Sequence, residues 1–169
     1  MYQLILLVVT AALIAADQLT KLAAVRGLAD HPVSIWDGVI ELCYSENRGI
    51  AWGLFQDRRW IVIGITGLVL TALLVVLMSG RFRQSRLITI GGAMVLAGGI
   101  GNLIDRVMNG YVVDFIHYYK WFDFPVFNLA DCCVTIGAVL ILVYVFFFSG
   151  KETAKEGAAD GEQTTDADR

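Results

Sequence analysis

The sequence predicts a mostly α-helical membrane protein with four transmembrane helices and a small β-sheet cradle on the extracytoplasmic face. First, 57% of the 169 residues are hydrophobic and the mean hydropathy is +0.64, which is typical of a multi-span membrane protein. Second, four apolar segments approach the roughly 20 residues needed to cross a bilayer core. Third, one polar connection carries a hairpin signal, and another is rich in β-branched and aromatic residues.

The four apolar segments occupy about residues 4–24, 60–78, 87–107 and 126–148. The first is similar to a signal peptide, but no Lys or Arg precedes its apolar core and no A-x-A cleavage site follows it, so we predict a retained helix. Residues 25–58 and 108–125 then form outer segments. We predict a single membrane domain over residues 1–149 and a disordered cytoplasmic tail over the polar residues 150–169.

Charge and cysteine content argue against several classes of protein. The net charge of −3 arises entirely from the last 19 residues, which hold six acidic and three basic side chains. No basic stripe indicates nucleic-acid binding. Three cysteines without CxxC spacing, and only two histidines, argue against disulfide and metal sites. We expect a monomer with no cofactor and no metal.

The outer segments predict a small sheet that is half-buried at the membrane surface. Asp37-Gly38 lies between apolar flanks, a combination that favours a hairpin. Residues 111–116 are β-branched and aromatic and predict a further strand. Aromatic side chains of the kind enriched at membrane interfaces are Trp36, Tyr44, Trp52 and Trp60.

Basic residues determine the predicted orientation. The connection at 81–86 has three arginines in six residues, and Lys151 and Lys155 follow the fourth span. By the positive-inside rule, this connection and both termini are cytoplasmic. Arg58 and Arg59 argue weakly for the opposite orientation. The outer segments, and a site between them, then lie near the outer leaflet.

Polar side chains within the apolar segments converge on that outer side. The outer ends of the first, third and fourth spans carry Asp17, Lys21, Asn102, Asp105, Arg106, Asn128 and Asp131. The strand around Asp114 returns toward the same face. Each residue alone has a structural explanation, such as a helix-end ion pair of Asp17 with Lys21 or a helix-start role for Asp131. Intramembrane charge is costly, so their convergence favours a functional site.

The third span predicts close helix packing. Small residues and an aspartate recur every four positions, at Ala93, Ala97, Gly101 and Asp105, and such a stripe lets helices approach. Glycines at residues 98–101 are also compatible with a phosphate-binding loop. However, no strand precedes them and they lie late in an apolar helix, so we predict a packing role.

The chemistry follows from Asp114 and Asp131. Two adjacent carboxyl groups in a low-dielectric site cannot both ionise easily, and the pair shares a proton near neutral pH. The charged member can deprotonate a water while the protonated one polarises a carbonyl, which is aspartic-type hydrolysis of a hydrophobic peptide. No serine has a G-x-S-x-G context, and Cys43 has no obvious histidine partner.

Five short motifs within residues 13–135 resemble those of bacterial lipoprotein signal peptidase, also called signal peptidase II. They are Asp17-Gln18-x-x-Lys21, Asn47-x-Gly49-x-Ala51-Trp52, Gly98-Gly99-x-Gly101-Asn102-Leu103-Ile104-Asp105-Arg106, Val112-Val113-Asp114-Phe115 and Phe127-Asn128-x-Ala130-Asp131. Each motif alone is weak, but five in this order on four spans are specific.

The resemblance implies residue roles and a reaction. Asp114 and Asp131 would be the catalytic pair. Residues that bind substrate or support the site would be Asp17, Lys21, Asn47, Gly49, Asn102, Asp105, Arg106 and Asn128. The substrate would be a diacylglyceryl-modified prolipoprotein, cut before its lipidated cysteine among the lipids of the bacterial inner membrane. The family needs no metal, and the cyclic peptide globomycin inhibits it.

Two non-enzymatic alternatives would use the same charges. In a transporter, the charges would line an ion path, but polar residues are almost absent from the inner halves of the later spans. In a structural membrane subunit, they would form interhelical ion pairs, which leaves Asp114, outside the helices, without a role. A peptidase accounts for both observations.

Overall fold

A computed structural model describes residues 2–49, 56, 58–80, 82, 85–122 and 124–148. Its elements are α1 (Tyr2–Gly27), β1 (Val33–Trp36), β2 (Ile40–Asn47), α2 (Arg59–Met78), α3 (Arg86–Met108), β3 (Val112–Tyr118) and α4 (Leu129–Phe147). All four helices are long and apolar enough to cross a membrane. Ala51 and Trp52 of the second motif, and the tail predicted at 150–169, lie outside the described residues.

The four predicted spans are confirmed, with a correction at the start of the last one. α4 begins at Leu129 rather than at residue 126, because Asn128 caps it. The Asn128 side chain accepts a hydrogen bond of 3.0 Å from the Asp131 backbone N–H, and Asp131 accepts one of 3.1 Å from the Asn128 backbone N–H. This reciprocal arrangement is a capping box. Asp131 therefore lies in the first turn of α4, nearer the helix start than predicted.

α3 is the central helix of the bundle. In α3, 50% of the most apolar stretch is buried inside the protein, whereas 17% to 22% is buried in the other three helices. A Cβ added at Gly98 would strike the Ala130 backbone in α4, and one at Gly101 would lie 2.5 Å from the Asp17 carboxylate in α1. A Cβ added at Gly99 would lie 2.5 Å from the Leu70 side chain in α2. The glycines of α3 therefore allow close helix packing, as predicted, and the small-residue stripe is buried along its length.

The three strands form an antiparallel sheet in the order β1-β2-β3. The predicted hairpin joins β1 to β2, with Gly38 in its turn at a φ of 72°, a value that glycine adopts readily. The register of β2 on β3 shifts between Leu42 and Ser45, so Cys43 and Tyr44 together oppose one residue of β3. This arrangement is a β-bulge.

Two sets of contacts hold the sheet against the helices. Val113 and Phe115 of β3 pack with Ala24 near the end of α1. Phe127, just before α4, exchanges backbone hydrogen bonds of 2.8 Å and 3.0 Å with Ile116 of β3. β3, the end of α1 and the start of α4 are thereby brought together.

A hydrophobic cluster closes the bundle at its other end. It joins Leu6 of α1, Leu77 of α2, Ile88 of α3 and Tyr144 of α4. Large apolar side chains on the outward faces of the helices are exposed, as expected where lipid tails are the surrounding solvent. The buried charged residues therefore belong to one end of the bundle.

Candidate active site

A buried lysine lies between the first two aspartates of the site. The Lys21 ammonium of α1 is 2.9 Å from Asp17, 3.1 Å from Asp105 and 2.9 Å from the side-chain oxygen of Asn102. An ammonium has three protons to donate, and each has an acceptor here. The predicted ion pair is confirmed, but it belongs to a buried network across α1 and α3. We call Asp17 and Asp105 the lysine-bound pair.

The lysine-bound pair also fixes the backbone of two neighbouring elements. Asp17 accepts a hydrogen bond of 3.0 Å from the Ala130 N–H in α4, and Asp105 accepts one of 3.0 Å from the Val113 N–H in β3. Gln18 donates to both carboxylates at 3.2 Å. Sequence reasoning did not assign Gln18 to the site, although its position inside the first motif, next to a buried aspartate, was an available signal.

Asp114 and Asp131, which we call the amide-bound pair, are the next residues in the sequence after these two backbone contacts. Each comes one residue after a backbone N–H that the lysine-bound pair holds, at Val113 and Ala130. The first pair therefore positions the second through the main chain. This connection explains why charges from three helices and one strand lie together.

Three asparagines supply donors to the amide-bound pair. Asn128 donates from its side chain to Asp114 at 2.6 Å, and Asn47 donates to the other oxygen of Asp114 at 3.0 Å. Asn102 donates to Asp131 at 2.8 Å, and the second oxygen of Asp131 accepts from the Asn128 backbone. Every carboxyl oxygen of the pair thus has an amide donor. Within the part of the chain that the structure describes, neither aspartate forms an ion pair.

The environment of Asp114, on β3 outside the helices, favours its protonated form. The residue is only 2% exposed. Burial, and then the negative charge of Asp131, raise the pKa of Asp114 from 3.8 to about 7. Hydrogen bonds from Asn47 and Asn128 and the charge of Lys21 act in the opposite direction. A carboxyl group with this pKa can donate a proton near neutral pH.

The β-bulge of β2 determines which side chains face Asp114. Beyond the bulge, Ser45 pairs with Asp114 and Asn47 pairs with Val112. Residues opposite one another, or two apart along a strand, share a face of the sheet. The Asn47 amide therefore lies on the face that carries the Asp114 carboxyl.

Arg106 links the end of α3 to the chain that follows β2. Its guanidinium donates to the Gly49 backbone oxygen at 2.8 Å and to the Asn102 backbone oxygen at 3.3 Å. The Gly49 N–H in turn donates to the Asn47 side-chain oxygen at 3.0 Å. This contact fixes the Asn47 amide so that its nitrogen faces Asp114.

An open cavity of about 940 Å³ borders the amide-bound pair, a volume within the usual range of ligand sites. Its polar end is formed by Asn47, Asn102, Arg106, Asp114 and Asp131. Its mostly apolar walls follow α4 and the segment before it, and include Phe124, Val126, Val134 and Ile136. A chain with a polar backbone and apolar substituents fits such a cavity.

All of the residues predicted for the site belong to one hydrogen-bonded network. The network runs from Lys21 through Asn102 to the amide-bound pair, and on to Asn47, Gly49 and Arg106. The structure therefore brings the predicted residues together. One expectation is wrong: Cys43 does have a histidine neighbour, because the pairing of β2 with β3 brings donor atoms of Cys43 and His117 within 4.8 Å.

The fold and the site define a class: a four-helix membrane protein with a hydrogen-bonded aspartate pair beside a largely apolar cavity. A family model described as "Signal peptidase (SPase) II" matches residues 9–147. The chain therefore belongs to the signal peptidase II family, and it is a multi-pass bacterial membrane peptidase.

Curated relatives and solved structures agree with this assignment. The lipoprotein signal peptidase of Geobacillus thermodenitrificans (strain NG80-2) is 40% identical over 149 residues, which cover 86% of this chain and 92% of the relative. That of Clostridium acetobutylicum is 37% identical over 152 residues, which cover 88% and 98%. Two bacterial membrane enzymes solved by the in meso method, at 2.3 Å and 1.9 Å resolution, each superpose with a TM-score of 0.76. The first is 29% identical and covers 83% of this chain and 87% of its own. The second is 27% identical and covers 85% of this chain and 94% of its own.

Proposed function

We propose that this protein is an aspartic endopeptidase that removes the signal peptide from diacylglyceryl-modified prolipoproteins, cleaving before the lipidated cysteine. The observation that carries the proposal is the amide-bound pair at the polar end of the cavity, where amide groups contact both carboxyls and neither carboxyl forms an ion pair within the described residues. The relatives' name, lipoprotein signal peptidase, supports the class of substrate.

Asp114 and Asp131 divide the acid and base roles. Asp131, as the ionised member, takes a proton from a water whose oxygen attacks the carbonyl carbon of the scissile peptide. Asp114, as the protonated member, donates its proton to the carbonyl oxygen. Collapse of the tetrahedral intermediate returns that proton to Asp114 and breaks the C–N bond, while Asp131 gives its proton to the leaving nitrogen. The raised pKa of Asp114 supports this assignment.

The other residues of the network position this pair. Asn47, Asn102 and Asn128 orient the four carboxyl oxygens without neutralising them. Arg106 and Gly49 border the cavity and have donors and acceptors suited to a substrate main chain. The lysine-bound pair supports the site from behind, because it holds the backbone beside each catalytic carboxyl.

The apolar wall of the cavity is suited to the substrate's hydrophobic signal peptide and its lipid. Val134 and Ile136 extend this wall along α4 from the first turn, where Asp131 lies, toward the middle of the helix. With cytoplasmic termini, as the positive-inside rule predicts, the site lies near the outer leaflet of the inner membrane. Globomycin, which the family resemblance implies as an inhibitor, would occupy the same cavity.

An ion-transport function is not favoured by the distribution of charge. The described ion pairs within the bundle lie at the end that carries Lys21, and the opposite end is closed by apolar side chains around Leu77. A continuous ion path needs polar groups through the full depth of the membrane. The peptidase proposal requires polar groups at one depth only.

The test is cleavage of a diacylglyceryl-modified prolipoprotein by purified Asp114→Asn and Asp131→Asn variants. Each is expected to lower the cleavage rate by about 10²–10⁴-fold, since each removes one acid–base group, while the Tm shows that the protein remains folded. Asp30→Asn, at an exposed aspartate outside the cavity, is the matched control and should cleave at the parent rate. Parent-like cleavage by either test variant would remove the catalytic assignment.

A second arm tests the substrate separately from the catalytic pair. The parent enzyme is given the same prolipoprotein without its diacylglyceryl group. We expect no cleavage, because the lipid contributes binding in the apolar part of the cavity. Equal cleavage of both forms would contradict the requirement for a lipidated cysteine and leave the aspartate assignment intact.

A further inference from the structure

A second group of reactive side chains lies on the sheet. Glu41 and Cys43 are two residues apart on β2, and His117 is opposite Glu41 on β3. A carboxylate oxygen, the sulfur and an imidazole nitrogen of these residues all lie within 4.8 Å of one another. The Glu41 oxygen and His117 Nδ1 are 3.0 Å apart. All three residues are half-buried, so an ion can reach them from solvent.

This cluster is separate from the candidate active site. His117 and Asp114 are three positions apart on β3, so their side chains lie on opposite faces of the sheet. The described residues that line the cavity do not include Glu41, Cys43 or His117. A ligand bound by the cluster would therefore not occupy the substrate's position.

We propose that Glu41, Cys43 and His117 form a binding site for one Zn²⁺ ion. Zinc binds thiolate, imidazole and carboxylate ligands at about 2.0–2.3 Å in a tetrahedron, so its donor atoms lie about 3–4 Å apart. The three donor atoms, all within 4.8 Å of one another, are close to that spacing. Three protein ligands leave the fourth position to water.

The mixture of donors selects the metal. Ca²⁺ and Mg²⁺ prefer sites made entirely of oxygen, whereas sulfur and nitrogen donors favour zinc and its neighbours among the transition metals. On binding, the Cys43 thiol loses its proton to solvent and becomes the thiolate ligand. No electron is transferred, because Zn²⁺ has no redox chemistry.

The bound ion would join two strands that also carry the site. Two ligands lie on β2, one of them in the β-bulge, and the third lies on β3. The ion therefore crosslinks β2 to β3 at the end of the sheet remote from Asn47. An ion that binds only the folded state raises its stability, so the expected effect of zinc is a more stable sheet.

The test uses purified full-length protein without a histidine tag, treated with a chelator and titrated with Co²⁺ as a spectroscopic substitute for zinc. We expect one Co²⁺ per chain with a thiolate-to-cobalt charge-transfer band, which Zn²⁺ then displaces while raising the Tm. Cys43→Ser should abolish the band. Glu41→Gln and His117→Gln should each weaken Co²⁺ affinity by at least about 10-fold.

Two matched variants control for the other thiols and acids. Cys133→Ala removes a buried cysteine of α4, and Glu46→Gln removes an exposed acid of the same strand; both should keep the band and its affinity. The proposal is wrong if the parent shows no band, if Cys43→Ser keeps it, or if Cys133→Ala loses it equally. Should Cys43→Ser not fold, unchanged Co²⁺ affinity in Glu41→Gln and His117→Gln would overturn the site. These readouts do not depend on peptidase activity.

Discussion

The lysine-bound pair and the amide-bound pair each hold two carboxyl groups, in different ways. Lys21 lies 2.9 Å and 3.1 Å from the two members of the first pair. In the corresponding place in the second pair, Asn128 donates its side chain at 2.6 Å to one carboxyl and its backbone at 3.1 Å to the other. A cation balances buried charge, whereas an amide orients a carboxyl without balancing it. The first pair is therefore suited to hold structure and the second to hold a proton.

The largest expected effect is on the lysine-bound pair. Lys21→Met leaves two buried carboxylates without a cation, which should destabilise the protein by about 3–5 kcal/mol. Thermal unfolding in detergent micelles measures the loss. Lys120→Met, at an exposed lysine, is the control and should be nearly neutral. A Lys21→Met variant within about 1 kcal/mol of the parent would mean that the cation is not needed.

A substitution in the amide-bound pair should have the opposite effect and stabilise the protein at high pH. The pKa of Asp114 is raised to about 7, above the value of about 3.9 in an unfolded chain. The unfolded state therefore loses its proton first, and stability is lost as the pH rises from about 4 through about 7. Asp114→Asn removes this destabilisation of the folded state, which is on the order of 2–4 kcal/mol above pH 7. The substitution also loses a hydrogen bond, which costs about 1 kcal/mol.

The measurement is the Tm of Asp114→Asn and the parent from pH 4 to pH 8. We expect the variant to be the more stable protein at pH 8 and to lose that advantage at pH 4. Asp30→Asn, at an exposed aspartate, should follow the parent at every pH. If the Tm difference between Asp114→Asn and the parent does not change with pH, folding does not raise the pKa of Asp114.

Gly98→Ala should affect both pairs at once. Its new Cβ would strike the Ala130 backbone, whose N–H bonds to Asp17 and whose next residue is Asp131. Overpacking of this kind costs about 1–3 kcal/mol, and cleavage should fall with stability. Gly67→Ala, where no atom lies within 4 Å of the added Cβ, should be neutral or stabilising by up to about 1 kcal/mol. Equal Tm values for the two variants would contradict this account of the α3–α4 contact.

The smallest expected effect is a shift in the pH profile. Asn47→Ala removes a hydrogen bond that lowers the pKa of Asp114, so that pKa should rise. Because the proposed mechanism uses Asp114 in its protonated form, the alkaline limb of kcat/KM should move up by about one pH unit. Asn109→Ala, at the exposed end of α3, is the control. A limb that moves to lower pH would show that Asn47 does not stabilise the ionised carboxyl.

Much of this arrangement could be predicted from local sequence. Asp131 and Lys21 stand out because charge is rare in apolar segments, and the Asp37-Gly38 turn specifies a hairpin by its own geometry. The four-residue spacing of small residues in α3 likewise indicates a packed face without knowledge of the partner helix. These features depend on neighbours along the chain.

Features that depend on distant partners could not be predicted in the same way. Val126 and Phe127 are apolar and look like the start of a span, but Phe127 pairs with β3 instead. The Asn128-x-x-Asp131 spacing was a signal for the cap that the hydropathy pattern outweighed. The proximity of Cys43 to His117 depends on the register of two strands, which neither strand specifies alone.

The β-bulge divides β2 into two stretches that pair with β3 in different registers. Before it, Glu41 pairs with His117, and after it the pairing has advanced by one residue, so that Ser45 pairs with Asp114. If the first register continued without the bulge, Tyr44 would pair with Asp114 and the Asn47 amide would be turned away from Asp114. The geometry of the candidate active site therefore depends on the extra residue in β2, which places Glu41 beside His117 on one face of the sheet and Asn47 beside Asp114 on the other.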